Sequence, residues 1–498
     1  MNETILKSHY DVAIIGYGPT GATLANLLGQ FGLSVVVFDR EADIYKLPRA
    51  VHFDDEVMRI FQSTGIADEL LKTVRVNPGM RFVDSSGKLL MDWPRPAEVS
   101  WQGWNTSYRF HQPDLEAILR HSVENLSIVD SFTSHNVLLI SSHTDHVTLQ
   151  VEDIVGEQLA STTASYVVGC DGARSTARAA IGEPMEDFGF REKWLVVDVI
   201  LTRPRPDLGD HSIQHCDADR SATYVRGPGD RRRWEIALKD WDLSLDLSDA
   251  GTIWQLLSAW ISPEDAELER NAVYEFRSRV AETWSKGRLF LAGDAAHQMP
   301  PFMGQGMCAG IRDAANLAWK LAACVKGGAN PDLLKTYQSE RRPHASQYVQ
   351  MSIRLGGLIN TSKTQEALAA AFPQDDGSAR LKSIAPPLGP GIGPHGQQDS
   401  SYLSRQLLLT DGRKLDDRAG LAPVLITSAP NPGLDQSQFE GCVISTHNEP
   451  TAVDYLTELN VSSILMRPDR YIFGTATTPQ DLPKLLEAWK DTISNAHN

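Results

Sequence analysis

A glycine pattern near the N-terminus constrains the fold of this chain more than any other feature. The apolar run 10–15 is followed by a glycine-rich hexapeptide, by helically spaced apolar residues 22–31 and by a second apolar run, 34–38. This order predicts a buried strand, a tight turn, a helix and a second parallel strand. The first glycine permits the turn, the second lets a pyrophosphate approach the backbone, and the third lets the helix pack on the strand. The hexapeptide is Gly16, Tyr17, Gly18, Pro19, Thr20 and Gly21.

An acidic residue completes the pattern. Asp39 ends the second predicted strand, where its carboxylate can accept hydrogen bonds from ribose hydroxyl groups. The N-terminus of the helix between the strands supplies N–H donors and a partial positive charge for phosphates. The segment therefore predicts a dinucleotide site, which the motif alone does not assign to FAD or to NAD. A glycine-rich turn without a ligand is the alternative.

Two later segments carry similar chemistry. In 168–178, an apolar strand runs into Asp171-Gly172, and Ser175 and Arg178 follow with the spacing of a helix start. Taken alone, this segment also fits a plain strand–turn–helix junction. In 288–307, a buried strand ends at Gly293-Asp294, and a loop rich in proline and glycine leads to another helix. Asp294 can accept from a ribityl hydroxyl, and the N–H groups at that helix start can face a phosphate or a ring carbonyl. A purely structural loop is the alternative here.

The three motifs, in this order, resemble those of the single-component (class A) flavoprotein aromatic hydroxylases over residues 8–350. The branch that this chain resembles most is 3-(3-hydroxyphenyl)propionate hydroxylase, on stretches such as 48–50, 214–217, 231–235 and 312–321. The resemblance implies non-covalent FAD, NAD(P)H as a transient reductant, O₂, and a flavin C4a-hydroperoxide that hydroxylates a small phenolic, 3-hydroxyphenylpropionate-like substrate in aromatic catabolism. Open alternatives are the same chemistry on a heteroaromatic or polyketide substrate, a flavin oxidase or dehydrogenase, and a nucleotide-binding module without turnover.

The resemblance also implies which residues hold the cofactor. The ADP half would lie against the hexapeptide with Asp39 and Arg40, and the phosphate–ribityl region against Arg49, Gln112 and Asp294. Asp171 and Arg178 would serve FAD and the nicotinamide nucleotide. The isoalloxazine would lie against Pro300, Pro301, Gly304, Gln305, Gly306 and Met307. Two residues depart from the family pattern: Asp39 stands where Glu is commoner, and Cys308 stands where many members have Asn. Cys308 could remove a flavin hydrogen bond, leave it to the backbone, or act as a reactive thiol.

The same resemblance implies that the substrate lies under a sheet formed by residues 194–240. The candidates that would face the substrate are Trp194, Gln214, Arg226 and Trp234, with His215, Tyr224 and Pro300 as catalytic residues. His215 could act as a base for the phenol, although a histidine in a strand is more often structural. Arg226 could pair with a substrate carboxylate or lie at a solvated edge.

The sequence predicts a mixed α/β fold in several domains, and the resemblance implies what those domains are. A Rossmann-like FAD-binding domain of the para-hydroxybenzoate hydroxylase type would comprise residues 1–80, 106–185 and 285–370. A substrate-binding β-sheet domain would comprise 81–105 and 186–284. A linker, 371–400, rich in proline and glycine, would lead to a thioredoxin-like domain, 401–498, that has no CxxC motif.

Composition excludes several classes of function. A net charge of −16 disfavours nucleic acids and anionic membranes as partners. Five dispersed cysteines argue against a disulfide framework or a metal site and suit a reducing cytoplasm. No signal peptide is recognised, and no run of about 18 apolar residues is present. We expect a cytoplasmic monomer or homodimer whose partner is a small aromatic molecule.

Overall fold

The computed structural model describes residues 5–45, 49–217, 219–326, 328–361, 385–394, 401–429 and 439–493. The strands are, in chain order, β1 His9–Ile15, β2 Val35–Phe38, β3 His52–Asp54, β4 Arg75–Val76, β5 Gly79–Asp84, β6 Leu89–Pro94, β7 Ser107–Arg109, β8 Val129–Phe132, β9 His135–Ser142, β10 Val147–Asp153, β11 Gln158–Gly169, β12 Met185–Leu201, β13 Ser212–Cys216, β14 Ala222–Arg226, β15 Arg231–Ala237, β16 Ala266–Ala281, β17 Ser285–Lys286, β18 Leu289–Leu291, β19 His297–Gln298, β20 Val424–Thr427, β21 Cys442–Ser445, β22 Ser463–Met466 and β23 Ile472–Ala476. The helices are α1 Pro19–Gln30, α2 Asp55–Ser63, α3 Ala67–Leu70, α4 Gln112–Glu124, α5 Thr176–Ile181, α6 Ala250–Leu257, α7 Gly306–Val325, α8 Lys335–Thr361, α9 Leu415–Ala419, α10 Thr451–Glu458 and α11 Leu482–Ile493.

The first sheet brings the three sequence motifs to one edge. Its parallel core has the order β18-β11-β1-β2-β8, and α1 packs against α4 and α7 beside it. The carboxyl ends of parallel strands meet at the same edge of a sheet, where open α/β folds bind ligands. The glycine turn after β1, Asp39 after β2, Asp171 after β11 and Asp294 after β18 therefore converge, although up to 278 positions separate them in the sequence. The predicted mixed α/β architecture is confirmed.

The second sheet, in the order β19-β16-β12-β15-β14-β13-β5-β6, lies against that edge. Its long strand β12 pairs with both β15 and β16, and the β5–β6 hairpin joins through parallel pairing of β5 with β13. Helix α6 covers one face, where Ile253 and Leu257 pack with Leu195, Val197 and Trp234. The sequence pattern gave no prediction of a strand at 266–281. Strand β16 escapes pattern recognition because many of its outward side chains are charged and exposed.

A third, small sheet has the order β3-β7-β4. Antiparallel pairing of β3 with β7 places His52 directly opposite Arg109. Directly opposed residues in a sheet project their side chains to the same face. These two side chains therefore enter the same space between the large sheets.

The C-terminal region has its own four-stranded sheet, β21-β20-β22-β23, with α10 between β21 and β22 and α11 after β23. Buried ion pairs join this region to the rest of the chain: Arg59 Nε lies 2.6 Å from Asp416, and Arg467 Nη1 lies 2.9 Å from Glu340. A thioredoxin-like fold for 401–498 stays a prediction. Of the predicted linker 371–400, residues 371–384 and 395–400 lie outside the described residues. The described part, 385–394, has neither helix nor strand, and its Gly389 N–H donates to the carbonyl of Glu340 at 2.9 Å.

Candidate active site

A single cavity of about 790 Å³ runs between the first and second sheets. This volume lies in the upper part of the range of about 300–1,000 Å³ that is usual for ligand sites. We call one part of its wall the glycine end, formed by Gly16, Gly18, Thr20, Asp39, Arg40 and Asp171. We call the opposite part the sheet end, formed by His52, Asp55, Asn77, Met80, Trp93, Arg95, Arg109, Gln214, Thr223, Val225 and Glu235. Between the two ends lie Arg49, Gln112, Asp294 and the 300–307 loop.

The three glycines of the hexapeptide have different physical roles. Gly16 has φ +100°, and a Cβ there would lie 2.4 Å from the carbonyl oxygen of Cys170. A Cβ on Gly21 would lie 2.0 Å from the oxygen of Gly16, so this glycine serves close packing and does not line the cavity. A Cβ on Gly18 would meet no atom within 4 Å. Gly18 therefore borders open space at the start of α1, where a pyrophosphate could approach the backbone.

Backbone donors hold the carboxylate of Asp39 in place. Oδ2 accepts from the N–H of Tyr17 at 2.7 Å, and Oδ1 accepts from the N–H of Glu41 at 2.9 Å. The side chain still borders the cavity, so its remaining lone pairs can accept from a ribose. Arg40 lies at the rim, exposed and paired with Glu41 at 3.2 Å.

Three distant segments meet in the middle of the cavity. Arg49 Nη1 donates to Asp294 Oδ2 at 3.0 Å. Gln112 Oε1 accepts from the N–H groups of Arg49 and Ala50, each at 2.9 Å, while its Nε2 donates to Glu116 at 2.7 Å. Burial raises the pKa of Glu116 to about 7. The structure thus brings together the three residues expected at the phosphate–ribityl region.

The Asp-Gly motif is partly a structural support. Asp171 Oδ2 accepts from the N–H groups of Thr176 at 2.6 Å and Ala177 at 3.2 Å, while its buried Oδ1 has no partner among the described residues. Arg178 does not line the cavity. It donates to the carbonyls of Ala295 at 2.9 Å and Ala173 at 2.7 Å, and so ties this loop to the Gly293-Asp294 turn.

The 300–307 loop is fixed from behind by a buried arginine. Arg312 donates to Gln305 Oε1 at 3.0 Å, to Asp54 at 2.6 Å and to Glu56 at 2.5 Å. Gly304 has φ +63°, and a Cβ there would lie 3.0 Å from His52 Nδ1. Pro300, Pro301, Gly304, Gln305, Gly306 and Met307 all line the cavity, and Gly306 begins α7, so free N–H groups face this region.

Cys308 anchors the loop. Its buried Sγ lies 3.5 Å from the carbonyl oxygen of Gly304 and 3.7 Å from that of His52, at distances expected for weak S–H donation. Burial raises the pKa of this thiol well above its ordinary value. A neutral, buried thiol is a poor nucleophile, which argues against the reactive role left open above.

At the sheet end, alternate residues of the central strands face the cavity. Gln214 and Thr223 line it, and Thr223 Oγ1 donates to Gln214 Oε1 at 2.7 Å. His215, Tyr224 and Trp234, all expected to face the substrate, do not line it. The ring of His215 lies 5.3 Å from that of Trp260, and Tyr224 packs on Trp234 at 5.1 Å on the face covered by α6. Successive side chains of a strand point to opposite faces. A prediction that is off by one position therefore names residues on the face that is turned away from the cavity.

Two further substrate candidates also lie away from the cavity wall. Trp194 is fully buried and packs edge-on against Phe302 at 5.6 Å, so it supports the loop from outside the cavity. Arg226 Nη1 donates to the carbonyls of Gly227 at 2.6 Å and Gly229 at 2.8 Å. Arg226 therefore braces its own turn and does not reach the space where a substrate could lie.

Sequence reasoning missed the cavity residues that lie in, or next to, β3, β5, β6 and β7. His52, Asn77, Met80, Arg95 and Arg109 lie outside the 194–240 segment in which the substrate candidates were sought. The alternation within 80–94 was recognised, but nothing in it shows that this hairpin extends the same sheet. Strand β5 pairs with β13, with Phe82 opposite Gln214, and this pairing between distant segments becomes visible only in the tertiary structure.

Burial sets the charges at the sheet end. Burial, with Arg109 nearby, lowers the pKa of His52 to about 3, so this ring is neutral at physiological pH. Burial, with Asp54 next to it, raises the pKa of Asp55 to about 7. Burial also raises the pKa of the Glu235 carboxyl. The sheet end is therefore less negative than its carboxylate count implies.

The features of the glycine end fit FAD. A positive-φ turn opens a helix, free space adjoins Gly18, a fixed carboxylate lies at Asp39, and the buried Oδ1 of Asp171 lacks a partner among the described residues. The family model described as "FAD binding domain" matches residues 9–352. The chain belongs to this family, and the prediction that it binds FAD is confirmed.

Relatives with assigned names agree with the resemblance seen in the sequence. A "Probable NADH-specific resorcinol 4-hydroxylase" of Rhodococcus jostii (strain RHA1) is 40% identical over 72% of this chain and 67% of its own length. A "3-(3-hydroxy-phenyl)propionate/3-hydroxycinnamic acid hydroxylase 2" of Burkholderia vietnamiensis (strain G4 / LMG 22486) is 38% identical over 71% of this chain and 64% of its own length. The chain thus spans about two thirds of these relatives. The resemblance to flavoprotein aromatic hydroxylases is confirmed.

Solved structures share the fold over nearly the whole chain. The flavin-dependent monooxygenase PieE, in complex with FAD and substrate, has a TM-score of 0.82 at 19% identity and covers 97% of this chain and 99% of its own. The OxyS anhydrotetracycline hydroxylase of Streptomyces rimosus has a TM-score of 0.76 at 24% identity and covers 97% of this chain and 99% of its own. At this identity the likeness concerns the fold alone. Within the described residues, no helix has the length and apolar character to cross a bilayer.

Proposed function

We propose that this chain is an FAD-dependent monooxygenase that uses NAD(P)H and O₂ to hydroxylate a small phenolic compound, of the kind named for its relatives. One observation carries the proposal: a single cavity joins the glycine end to the sheet end past the 300–307 loop. A flavin held at the glycine end would present its ring, beside that loop, to a chamber of aromatic and hydrogen-bonding side chains. Bound FAD supplies hydride acceptance and oxygen activation.

The residues of the chain position both reactants. The start of α1 and Asp39 would hold the ADP half, and Arg49, Gln112 and Asp294 would hold the middle of the cofactor. The N–H groups at the start of α7 would face the edge of the ring that becomes negative on reduction. Arg312 keeps that loop in one conformation by its three hydrogen bonds, which suits a site that must hold a reacting ring carbon in place.

The sheet end would bind the phenol. Gln214 and Thr223 are buried, hydrogen-bonded to each other and on the cavity wall, so they can meet a phenol hydroxyl. An acceptor at that oxygen increases the reactivity of the ring carbons ortho and para to it. Trp93 and Met80 supply apolar wall that excludes water from the reaction.

The proposal is tested with the FAD-loaded enzyme, NADH or NADPH, O₂ and a panel of meta-substituted phenols and pyridinols. We expect at least one phenol to stimulate NAD(P)H consumption and to yield about one hydroxylated product per NAD(P)H, with the new oxygen coming from labelled O₂. Formation of H₂O₂ alone with every compound in the panel would instead indicate an oxidase. A preference for pyridinols over phenols would move the substrate to the heteroaromatic class.

We further infer the division of labour between domains that the sequence predicts: FAD binding by 1–80, 106–185 and 285–370, and substrate binding by 81–105 and 186–284. The pairing of β5 with β13 supports the grouping of the hairpin with the substrate sheet. All five cysteines are free thiols, which supports a reducing compartment such as the cytoplasm.

A further inference from the structure

Arg109 is a buried cation at the sheet end that forms no ion pair with any described residue. Its side chain is on the cavity wall, and the residue is 7% exposed. Its Nη2 donates to Ser212 Oγ at 3.0 Å, while its buried Nε has no acceptor among the described residues. A buried charge without a counter-charge costs free energy, because the protein replaces water poorly around it.

Most other buried arginines of this chain have carboxylate partners, whereas the buried Arg232 donates to the backbone carbonyls of Gly229 and Arg231 and does not line the cavity. Arg59 lies 2.6 Å from Asp416, Arg233 lies 2.6 Å from Asp198, and Arg341 lies 2.9 Å from Asp313. Arg109 differs from them in one further respect, since it borders the cavity. Arg95, also on the cavity wall, stacks over the ring of Trp93 at 4.6 Å and likewise has no ion pair among the described residues. The two guanidinium groups are positioned to receive an anion that enters with a ligand.

The position of Arg109 indicates which ligand carries that anion. Arg109 is paired in register with His52, whose Nδ1 lies 3.5 Å from the carbonyl oxygen of Gly304. Its hydrogen-bond partner, Ser212, belongs to β13 of the second sheet. Arg109 therefore lies on the sheet side of the 300–307 loop, opposite to the glycine end where the pyrophosphate would bind. The anion that fits this place belongs to the substrate.

We propose that Arg109, assisted by Arg95, binds a carboxylate on the substrate, so that this enzyme acts on phenols that carry a carboxylate side chain. The inference rests on the proposed function and refines it, because the named relatives include enzymes for both a carboxylated and a neutral phenol. A guanidinium fork matches a carboxylate with two parallel hydrogen bonds. Arg109 lines the cavity, so its guanidinium group can present such donors to a ligand bound there.

The nearby carboxyl of Glu235 does not neutralise Arg109. Glu235 lies 3.6 Å from Nη1 of Arg233, and it forms no ion pair with Arg109. Burial raises the pKa of Glu235, which lessens its negative charge. Burial also lowers the pKa of Arg109 to about 10, which leaves it protonated at neutral pH.

The test is a binding titration of the FAD-loaded enzyme, followed by the perturbation of the flavin absorbance spectrum. The ligands are 3-(3-hydroxyphenyl)propionate, its uncharged amide, and resorcinol. We expect the wild type to bind the acid roughly 10- to 100-fold more tightly than the amide, as for a charge-assisted hydrogen bond in a buried site. In R109Q this advantage disappears while the dissociation constants of amide and resorcinol change by less than about 3-fold. R109K, which keeps the charge but loses the fork, should fall between.

The matched control is R226Q, in which an arginine of the second sheet, bonded to backbone carbonyls away from the cavity, loses its charge. We expect R226Q to bind all three ligands like the wild type. Equal affinity of the wild type for acid and amide overturns the proposal, as does an equal loss of all three ligands in R109Q or a loss of the acid in R226Q. The wild-type comparison of acid with amide needs no variant, so it decides even if R109Q does not fold.

The outcome also separates this inference from the proposed function. Hydroxylated product from resorcinol or the amide, with no advantage for the acid, would refute the carboxylate site and leave the hydroxylase proposal standing. Tight, Arg109-dependent binding of the acid with no hydroxylation of any phenol would support the anion site and refute the hydroxylase proposal.

Discussion

At the glycine end the cavity wall is largely backbone at strand ends, whereas at the sheet end it is side chains on the faces of strands. At the glycine end, Gly16 and Gly21 are dictated by sterics, and backbone N–H groups fix Asp39. At the sheet end, most wall residues lie on strands, and each of these depends on which face of its strand is turned inward. A wall made of backbone requires particular residue types at fixed spacings, which the sequence reveals. A wall made of side chains depends on tertiary contacts, which leave no local sequence pattern.

The largest expected effect distinguishes two glycines of the hexapeptide, Gly16 and Gly18. Gly16→Ala forces a side chain onto a φ of +100° and into the carbonyl of Cys170, so we expect a loss of about 3 kcal/mol or more of folding free energy. Gly18→Ala has free space around the new methyl group in the protein, so the FAD-free protein should keep its stability to within about 0.5 kcal/mol. Gly18→Ala should instead weaken FAD binding roughly 10-fold or more, because the methyl group occupies space meant for the cofactor. Urea unfolding of the FAD-free proteins and FAD titration measure both, and equal destabilisation by the two changes would contradict this division.

A second experiment sharpens the comparison within the sheet end. Gln214→Leu and Thr223→Val alter the cavity-facing set, and each removes one hydrogen bond to the substrate. Each should therefore raise the KM for the phenol roughly 5- to 10-fold, or increase the ratio of H₂O₂ to hydroxylated product by a similar factor. His215→Gln and Tyr224→Phe alter the opposite face and should change KM and product yield by less than about 2-fold. Steady-state assays of product and H₂O₂ give the answer. A larger effect from Tyr224→Phe than from Thr223→Val would mean that the other face of the sheet binds substrate.

A smaller effect depends on pH. Asp55 has a pKa raised to about 7 by burial, so it is neutral below that pH and negative above it. Its charge acts on Arg95, so we expect the KM of an anionic substrate to rise roughly 3-fold as the pH goes from 6 to 8. Asp55→Asn should remove this dependence, since the amide does not titrate. An unchanged pH profile in that variant would assign the effect to another group, such as Glu235.

The smallest effect concerns Cys308, whose sulfur lies against the carbonyl oxygen of Gly304 in the 300–307 loop. Because its thiol is buried, has a raised pKa and only weak hydrogen bonds, Cys308→Ala should change the turnover number by less than about 3-fold. A thiol reagent at neutral pH should leave Cys308 unlabelled in the folded, FAD-loaded protein, as mass spectrometry of the digested protein would show. Rapid labelling with loss of turnover would restore the reactive-thiol hypothesis.

The limits of the sequence-based predictions follow from the same comparison. The motifs predicted the glycine turn, Asp39, Asp171 and Asp294, because parallel strands deliver them to one edge whatever else the chain does. Arg178 was predicted as a cofactor ligand but ties two loops together. His215 and Tyr224 lie in strands that were correctly predicted, yet periodicity alone does not say which face is covered by α6. Arg109 was not predicted, because the pairing of β7 with β3 that brings it to the cavity leaves no local sequence pattern.

The measurement that tests the central claim most directly is a titration of the FAD-loaded protein with a meta-substituted phenol, followed by the flavin absorbance spectrum. If the glycine end and the sheet end belong to one site, the phenol must perturb the flavin spectrum saturably, and Thr223→Val must weaken that perturbation while Tyr224→Phe leaves it unchanged. A phenol that binds without altering the flavin spectrum, or a protein that takes up no FAD, would contradict the account.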